Sequence, residues 1–171
     1  ARETSIATQP NAPRVCIGEQ ERGEVRCYDP GGSEIVVRWA DEPVQAEPGG
    51  AAVAAWRDSM IELYARKFTR EDARRMLSQV PAPTAYPPYT DLVLDHRGRL
   101  WVKTGRTAEA AEADSYLVFS PTGEALGTAS VPPIRILEIG DDYLAGVSRD
   151  EYGVQYLEVF EITPSDLPTD G

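Results

Sequence analysis

The chain has 171 residues, of which 42% are hydrophobic and 26% charged, and its formal net charge is -11 at pH 7. This length suits one domain with a core of its own, and the negative charge argues against nucleic acid and anionic membrane surfaces as partners. No apolar run approaches the roughly 20 residues that cross a bilayer. We therefore expect a turn-rich globular protein with no transmembrane segment in this sequence.

The chain begins with a polar segment, residues 1–13, which we interpret as a tail or as one loosely held edge strand. Three strands are then predicted near 14–18, 24–29 and 34–39. The last two are joined by Asp29-Pro30-Gly31-Gly32, in which Pro presets the first corner of a turn and Gly closes it with a positive φ. The first third of the chain is therefore predicted to be an antiparallel meander.

Two cysteines lie in the first hairpin of this meander. If the turn is centred on Glu21 and Arg22, Cys16 and Cys27 lie directly opposite each other, at a separation close to what a disulfide requires. We therefore predict a Cys16–Cys27 disulfide, which an oxidising compartment would maintain. The alternative is a pair of buried free thiols that act as small apolar residues.

Residues 47–80 change to the three- and four-residue spacing of a helix face. We predict a helical insert here, with a second short helix that begins after Thr69. Trp, Tyr and Met are enriched at interface hot spots, so the candidate partner contacts are Trp56, Met60, Tyr64 and Phe68. The alternative is that this face packs on the protein's own sheet. In either case we expect Val53, Trp56, Met60 and Phe68 to be mostly buried.

The rest of the chain returns to strands, with one hairpin pattern repeated. Residues 118–126 (VFSPTGEAL) align with residues 27–35 (CYDPGGSEI), and residues 94–102 have the same rhythm without the Pro. Strands are predicted near 90–95, 99–104, 115–120, 125–131, 134–140, 143–149 and 154–162. Repeated hairpins of this kind favour an array of antiparallel propeller-type blades.

The β part of the chain suffices for about three blades of ~40–50 residues, whereas closed propellers have at least about four. We therefore expect an incomplete propeller whose open edges, near 14–18 and 154–162, pair with another chain, another copy or a preceding part of the same polypeptide.

Residues 91–102 (DLVLDHRGRLWV) resemble the strand–turn–strand signature of bacterial six-bladed propellers related to NHL and TolB-type repeats. Residues 139–160 are similar to the last blade of exported, uncharacterised members of this group. The resemblance implies a propeller-like domain over residues 14–171 that is interrupted by the insert at 47–80. It also implies export, to the periplasm or the extracytoplasmic membrane surface, and carries over no catalytic residue.

The last 34 residues, 138–171, contain nine acidic residues and one basic residue, Arg149. An acidic face of this kind can dock a basic partner, which makes Asp141, Asp142, Asp150 and Glu151 further candidate partner contacts. The alternative is a solvated surface that keeps the protein soluble. These acidic pairs lack the ligand spacing of a calcium loop, so we interpret them as caps of hairpin turns.

Residues that carry chemistry are sparse. His96 is the single histidine, which leaves little material for a histidine metal site or a Ser-His-Asp triad. We predict no catalytic residue, no metal site and no cofactor. The predicted function is a non-catalytic protein–protein interaction module, an accessory or stabilising subunit on the extracytoplasmic face of a larger membrane assembly. The alternative is a lactonase-like enzyme or small-ligand binder whose site lies on blades absent from this chain.

Overall fold

The computed structural model describes residues 4–19, 23–39, 49–81, 87–104, 113–150 and 152–162. The chain divides into two compact units, one of residues 1–43 with 87–171 and one of residues 44–86. All described strands belong to the first unit and both described helices to the second. Glu21, Arg22 and Glu151 lie outside the described residues.

Eleven strands are found in the described part of the first unit. They are β1 (Thr4–Thr8), β2 (Val15–Glu19), β3 (Glu24–Tyr28), β4 (Glu34–Arg38), β5 (Tyr89–Leu94), β6 (Leu100–Thr104), β7 (Asp114–Phe119), β8 (Ala125–Val131), β9 (Arg135–Ile139), β10 (Tyr143–Arg149) and β11 (Gln155–Glu161). The strands predicted from the sequence are confirmed to within one or two residues at each end.

The strands form three consecutive antiparallel meanders. The first sheet has the order β1-β2-β3-β4, the second β5-β6-β7-β8 and the third β9-β10-β11. The first strands of successive sheets are neighbours, because β1 lies beside β5 and β5 lies beside β9. The mainly β, antiparallel architecture is therefore as predicted.

The three sheets pack on each other through two apolar cores, one between the first and second sheets and one between the second and third. In the strands that form them, alternate residues point to opposite faces of a sheet. The core between the first and second sheets contains Cys16, Val25, Cys27, Val37, Tyr89, Leu92, Leu94 and Phe119. The core between the second and third sheets contains Trp101, Tyr116, Val118, Val131, Ile136, Ile139 and Leu144. The second sheet is thus buried on both faces, whereas the first and third sheets each bury only one.

Four hairpins share one turn in which an Asp or Ser is followed three residues later by a Gly with positive φ. In each turn the Gly N–H donates to the carbonyl of the Asp or Ser, whose own N–H donates to the residue after the Gly. A positive φ strains any residue with a Cβ, which explains the choice of Gly. The turns begin at Asp29, Asp95, Ser120 and Asp150, and their glycines have φ of 78°, 75°, 90° and 81°.

The second unit consists of helices α1 (Gly50–Ala65) and α2 (Arg70–Ser78), which pack on each other. The helical nature of the predicted insert is therefore confirmed. Thr69 caps α2 as predicted, because its Oγ1 accepts a hydrogen bond from the Asp72 N–H at 3.1 Å. Ala73 and Leu77, one turn apart on α2, are buried.

One burial prediction for this unit is wrong. Val53, Trp56 and Met60 are half-buried on α1, but Phe68 is 50% exposed. The helix ends at Ala65, so Phe68 lies in the turn between the helices. The periodicity that places side chains on one helix face does not extend into that turn.

Candidate protein-docking surface

The third sheet leaves one face uncovered. Leu144 and Phe160 point toward the second sheet, so their neighbours Ala145, Leu157 and Val159 point the opposite way. Val159 lies directly across from Ala145, and Leu157 across from Val147. Leu157 is 71% exposed and Val159 65% exposed. β3 and β7 are the third strands of the other two sheets, and their apolar residues on the equivalent face are buried against the next sheet. We call Leu157, Val159 and Glu161, with the backbone edge between them, the β11 surface.

The backbone of β11 is also open along this surface. Hydrogen-bonded pairs alternate with non-bonded pairs in an antiparallel ladder. The β10–β11 ladder continues into bonds between Asp142 and Ile162 at one end and Asp150 and Val154 at the other. Even-numbered residues of β11 therefore bond to β10. Residues 155, 157, 159 and 161 direct their N–H and C=O groups away from β10, toward the edge of the sheet on which no further strand lies among the described residues.

The sheet edges formed by β4 and β8 are better protected than the edge formed by β11. The exposed side chains of β8 are small, for example those of Thr128 and Ser130. On β4, Glu34 accepts from Arg26 at 2.7 Å and Arg38 donates to Glu24 at 2.8 Å, so charged pairs line that edge. Proteins commonly protect sheet edges with charges. The β11 surface instead exposes two large aliphatic side chains beside a backbone edge that no described strand pairs with.

Of the two open sheet edges predicted from the sequence, the structure has one. The prediction of an edge near residues 14–18 is wrong, because β1 pairs with β2 along its length, from Thr4 opposite Glu19 to Thr8 opposite Val15. Residues 4–8 thus form the edge strand that was one interpretation of the polar first segment. The predicted edge near residues 154–162 does lie at the edge of its sheet.

The acidic residues proposed as partner contacts have different environments. Asp141 is exposed and accepts from Arg97 Nε at 2.9 Å, and this hydrogen bond holds the pKa of Asp141 below its usual value. Asp142 is exposed, and its backbone carbonyl accepts from Ile162. Asp150 belongs to its own turn, where its carboxylate accepts from the N–H groups of Tyr152 and Val154. Asp141 and Asp142 thus remain on the surface, whereas Asp150 has a structural role.

A polar cluster of His96, Glu138 and Tyr143 joins the β5–β6 turn to the third sheet. Glu138 Oε1 accepts from the Tyr143 hydroxyl and lies 2.6 Å from His96 Nε2. The bond from Tyr143, followed by the one from His96, lowers the pKa of Glu138. Because both contacts end on one carboxylate oxygen, they fix the side chain in place. The cluster therefore serves as a tie between two sheets.

The candidate contacts on the helices are only partly accessible. Trp56 and Met60 are half-buried, while Tyr64 and Phe68 are exposed and stack with ring centroids 6.5 Å apart. The exposed pair can present an aromatic surface to solvent. The use of these four residues for docking stays a prediction.

The disulfide predicted from the hairpin register is present. Cys16 lies directly opposite Cys27, and the two sulfur atoms are bonded. Both cysteines are buried in the core between the first and second sheets. The bond therefore links β2 to β3 beneath the outer face of the first sheet.

A pocket of about 230 Å³ lies between the second and third sheets. Its lining includes the apolar residues Trp101, Leu144 and Phe160 and the charged residue Glu161. Its lining includes the end of β11 and therefore shares Glu161 with the β11 surface. Within the described residues, no group of three or more His, Cys, Asp or Glu side chains could hold a metal ion. No described helix is long and apolar enough to cross a membrane.

No family model, curated protein or solved structure matches the chain. The resemblance to six-bladed propellers therefore depends on the sequence motifs alone.

Proposed function

We propose that the chain is a non-catalytic protein–protein interaction module that docks a partner protein on the β11 surface. The observation that carries this proposal is the coincidence of exposed Leu157 and Val159 with the open backbone edge of the same strand. An exposed apolar edge strand is a template for pairing with another chain. Covering it gives a favourable free energy of about 1.5–3 kcal/mol for each fully buried aliphatic side chain.

We further propose that the three meanders are propeller-type blades. The support is their order in space, since β1, β5 and β9 lie side by side and each begins a sheet. The first and third sheets have one uncovered face each, as the end blades of an open array would. Additional sheets on these faces would complete the array.

An extracytoplasmic location belongs to the same proposal. The Cys16–Cys27 bond supports it, because disulfides persist in oxidising compartments and are rare in the cytosol. The more specific role, an accessory subunit on the outer face of a membrane assembly, stays a prediction. So does the alternative of a lactonase-like enzyme or small-ligand binder.

Site-specific photo-crosslinking tests the docking function. A photoreactive amino acid replaces Leu157 in cells that naturally make the protein, and the matched control replaces Thr128 on the edge of β8. We expect one adduct of defined mass at position 157, identified by mass spectrometry, and none above background at position 128. Equal crosslinking at the two positions, or none at 157, would contradict the proposed function.

A further inference from the structure

We propose that the partner binds as a fourth, antiparallel strand on β11, and that this strand has the pattern basic–x–apolar–x–apolar. The inference rests on the proposed docking function and adds the binding mode and the partner's chemistry. The occupant is an extended segment of another protein.

The three sheets differ in their number of described strands. In the first and second sheets a fourth strand pairs with the third, β4 with β3 and β8 with β7. In the described part of the third sheet the third strand, β11, has no such neighbour. Every strand pair in the three sheets is antiparallel. An added strand that continues this pattern is antiparallel too.

The outward backbone groups of β11 impose one register on an added strand. Leu157, Val159 and Glu161 direct their amides and carbonyls outward, so they form the hydrogen-bonded pairs with an added strand. Residues directly opposite each other have their side chains on the same face of the sheet. Read from its N-terminus, an antiparallel partner therefore places successive alternate residues opposite Glu161, then Val159, then Leu157.

The side chains at these three positions select the chemistry of the partner strand. Apolar side chains opposite Val159 and Leu157 would cover the most exposed aliphatic side chains of β11. Glu161 belongs to no ion pair among the described residues, and neither does Glu158. Opposite charges across a strand pair stabilise it, whereas like charges destabilise it. A Lys or Arg opposite Glu161 is thus favoured.

The acidic charge of residues 138–171 disfavours a second copy of this chain as the occupant, most strongly in one register. In the symmetric antiparallel register that pairs Leu157 with Val159 of a second copy, Glu158 lies opposite Glu158 of that copy. Like charges directly opposite each other are destabilising, and residues 138–171 are strongly acidic in every copy. A basic strand from a different protein avoids this repulsion.

The test uses the full chain and the model peptide acetyl-Thr-Lys-Thr-Val-Thr-Ile-Thr-amide. One control peptide carries N-methyl groups on its Val and Ile, which removes their N–H donors and leaves the side chains. A second control replaces Lys by Glu. Binding is followed by amide hydrogen exchange and by chemical shifts in NMR spectra. We expect the first peptide to protect the amides of Leu157 and Val159, and both controls to bind at least about tenfold more weakly.

Two protein variants keep the test specific. Val159→Pro removes an outward N–H that no bond to β10 uses, and Pro is tolerated at such edge positions. We expect it to weaken peptide binding about tenfold, whereas Val159→Thr, which keeps the N–H and loses only part of the apolar contact, should weaken binding less, by up to about threefold. Unchanged far-UV circular dichroism verifies that both variants fold.

Three outcomes would overturn the inference. They are binding of the N-methylated peptide as tight as that of its parent, no protection at Leu157 and Val159, and self-association of the chain that Val159→Pro abolishes. The last would identify a second copy as the occupant. If crosslinking at position 157 succeeds while the peptide fails to pair, docking stands and strand addition is wrong. If both fail, the docking function is wrong as well.

Discussion

Substitution of Asp95 by Asn should strongly destabilise the protein. The Asp95 side chain is fully buried and accepts from the Arg99 N–H at 2.8 Å, from Arg99 Nε at 2.6 Å and from Trp101 Nε1 at 3.0 Å. The Arg99 side chain is itself only 4% exposed. Asn has one acceptor oxygen in place of two and carries an NH₂ group that would face a donor. The variant therefore leaves a buried guanidinium without its counter-charge.

The size of the effect follows from this burial. Removing one partner of a buried ion pair costs about 3–5 kcal/mol. For a chain of this size, 1 kcal/mol shifts Tm by about 2–4 °C, so Asp95→Asn should lower Tm by roughly 10 °C. The chain offers a matched control in Asp150, which begins the same type of turn near the surface. Asp150→Asn should cost much less, because solvent screens its interactions and rehydrates the groups it leaves.

Urea denaturation followed by circular dichroism measures both costs. The double variant Asp95→Asn/Arg99→Met removes the stranded charge and should recover part of the loss, because the penalty comes from an unpaired buried cation. Equal costs for the Asp95 and Asp150 variants would refute the argument from burial. A double variant less stable than Asp95→Asn alone would refute the argument from the unpaired charge.

Intact mass should rise by two hydrogens when the disulfide is reduced, and reduction should lower the free energy of unfolding by about 2–3 kcal/mol; free alkylation without reductant would contradict this. Gly18→Ala should cost about 1–3 kcal/mol, because a Cβ there would collide with the Tyr89 hydroxyl, and an unchanged urea midpoint would exclude the clash. The pKa of Glu138 is lower in the folded protein than in the unfolded chain. The Glu138 interactions therefore stabilise the fold fully above the unfolded-state pKa, and this stabilisation is lost as the pH falls through the folded-state pKa. Tyr143→Phe removes the largest cause, so NMR titration should show a higher Glu138 pKa, and an unchanged value would disprove that role.

Much of the fold follows from local rules in the sequence. Turns such as Asp29-Pro30-Gly31-Gly32 were predictable because Gly is the residue that adopts positive φ without strain. The cysteine pairing followed from the hairpin register. Thr69 was recognisable as an N-cap because its hydroxyl can satisfy a free N–H group at the start of α2.

The errors arose where tertiary context decides. β1 has only Ile6 and Ala7 as apolar residues, so its pairing with β2 had almost no sequence signal. In β11, apolar residues alternate onto both faces, with Leu157 on one and Phe160 on the other. That pattern is typical of a strand buried on both sides, and only the packing of the three sheets shows that the face of Leu157 is exposed.

Amide hydrogen exchange along β11 in the isolated chain tests the central claim most directly. The account predicts alternation, because Tyr156, Glu158 and Phe160 bond to β10 while residues 155, 157, 159 and 161 face the free edge. The amides of the first group should exchange slowly and those of the second at nearly the rate of an unstructured peptide. Uniform slow exchange along the strand would contradict the account, because the edge would then already be covered.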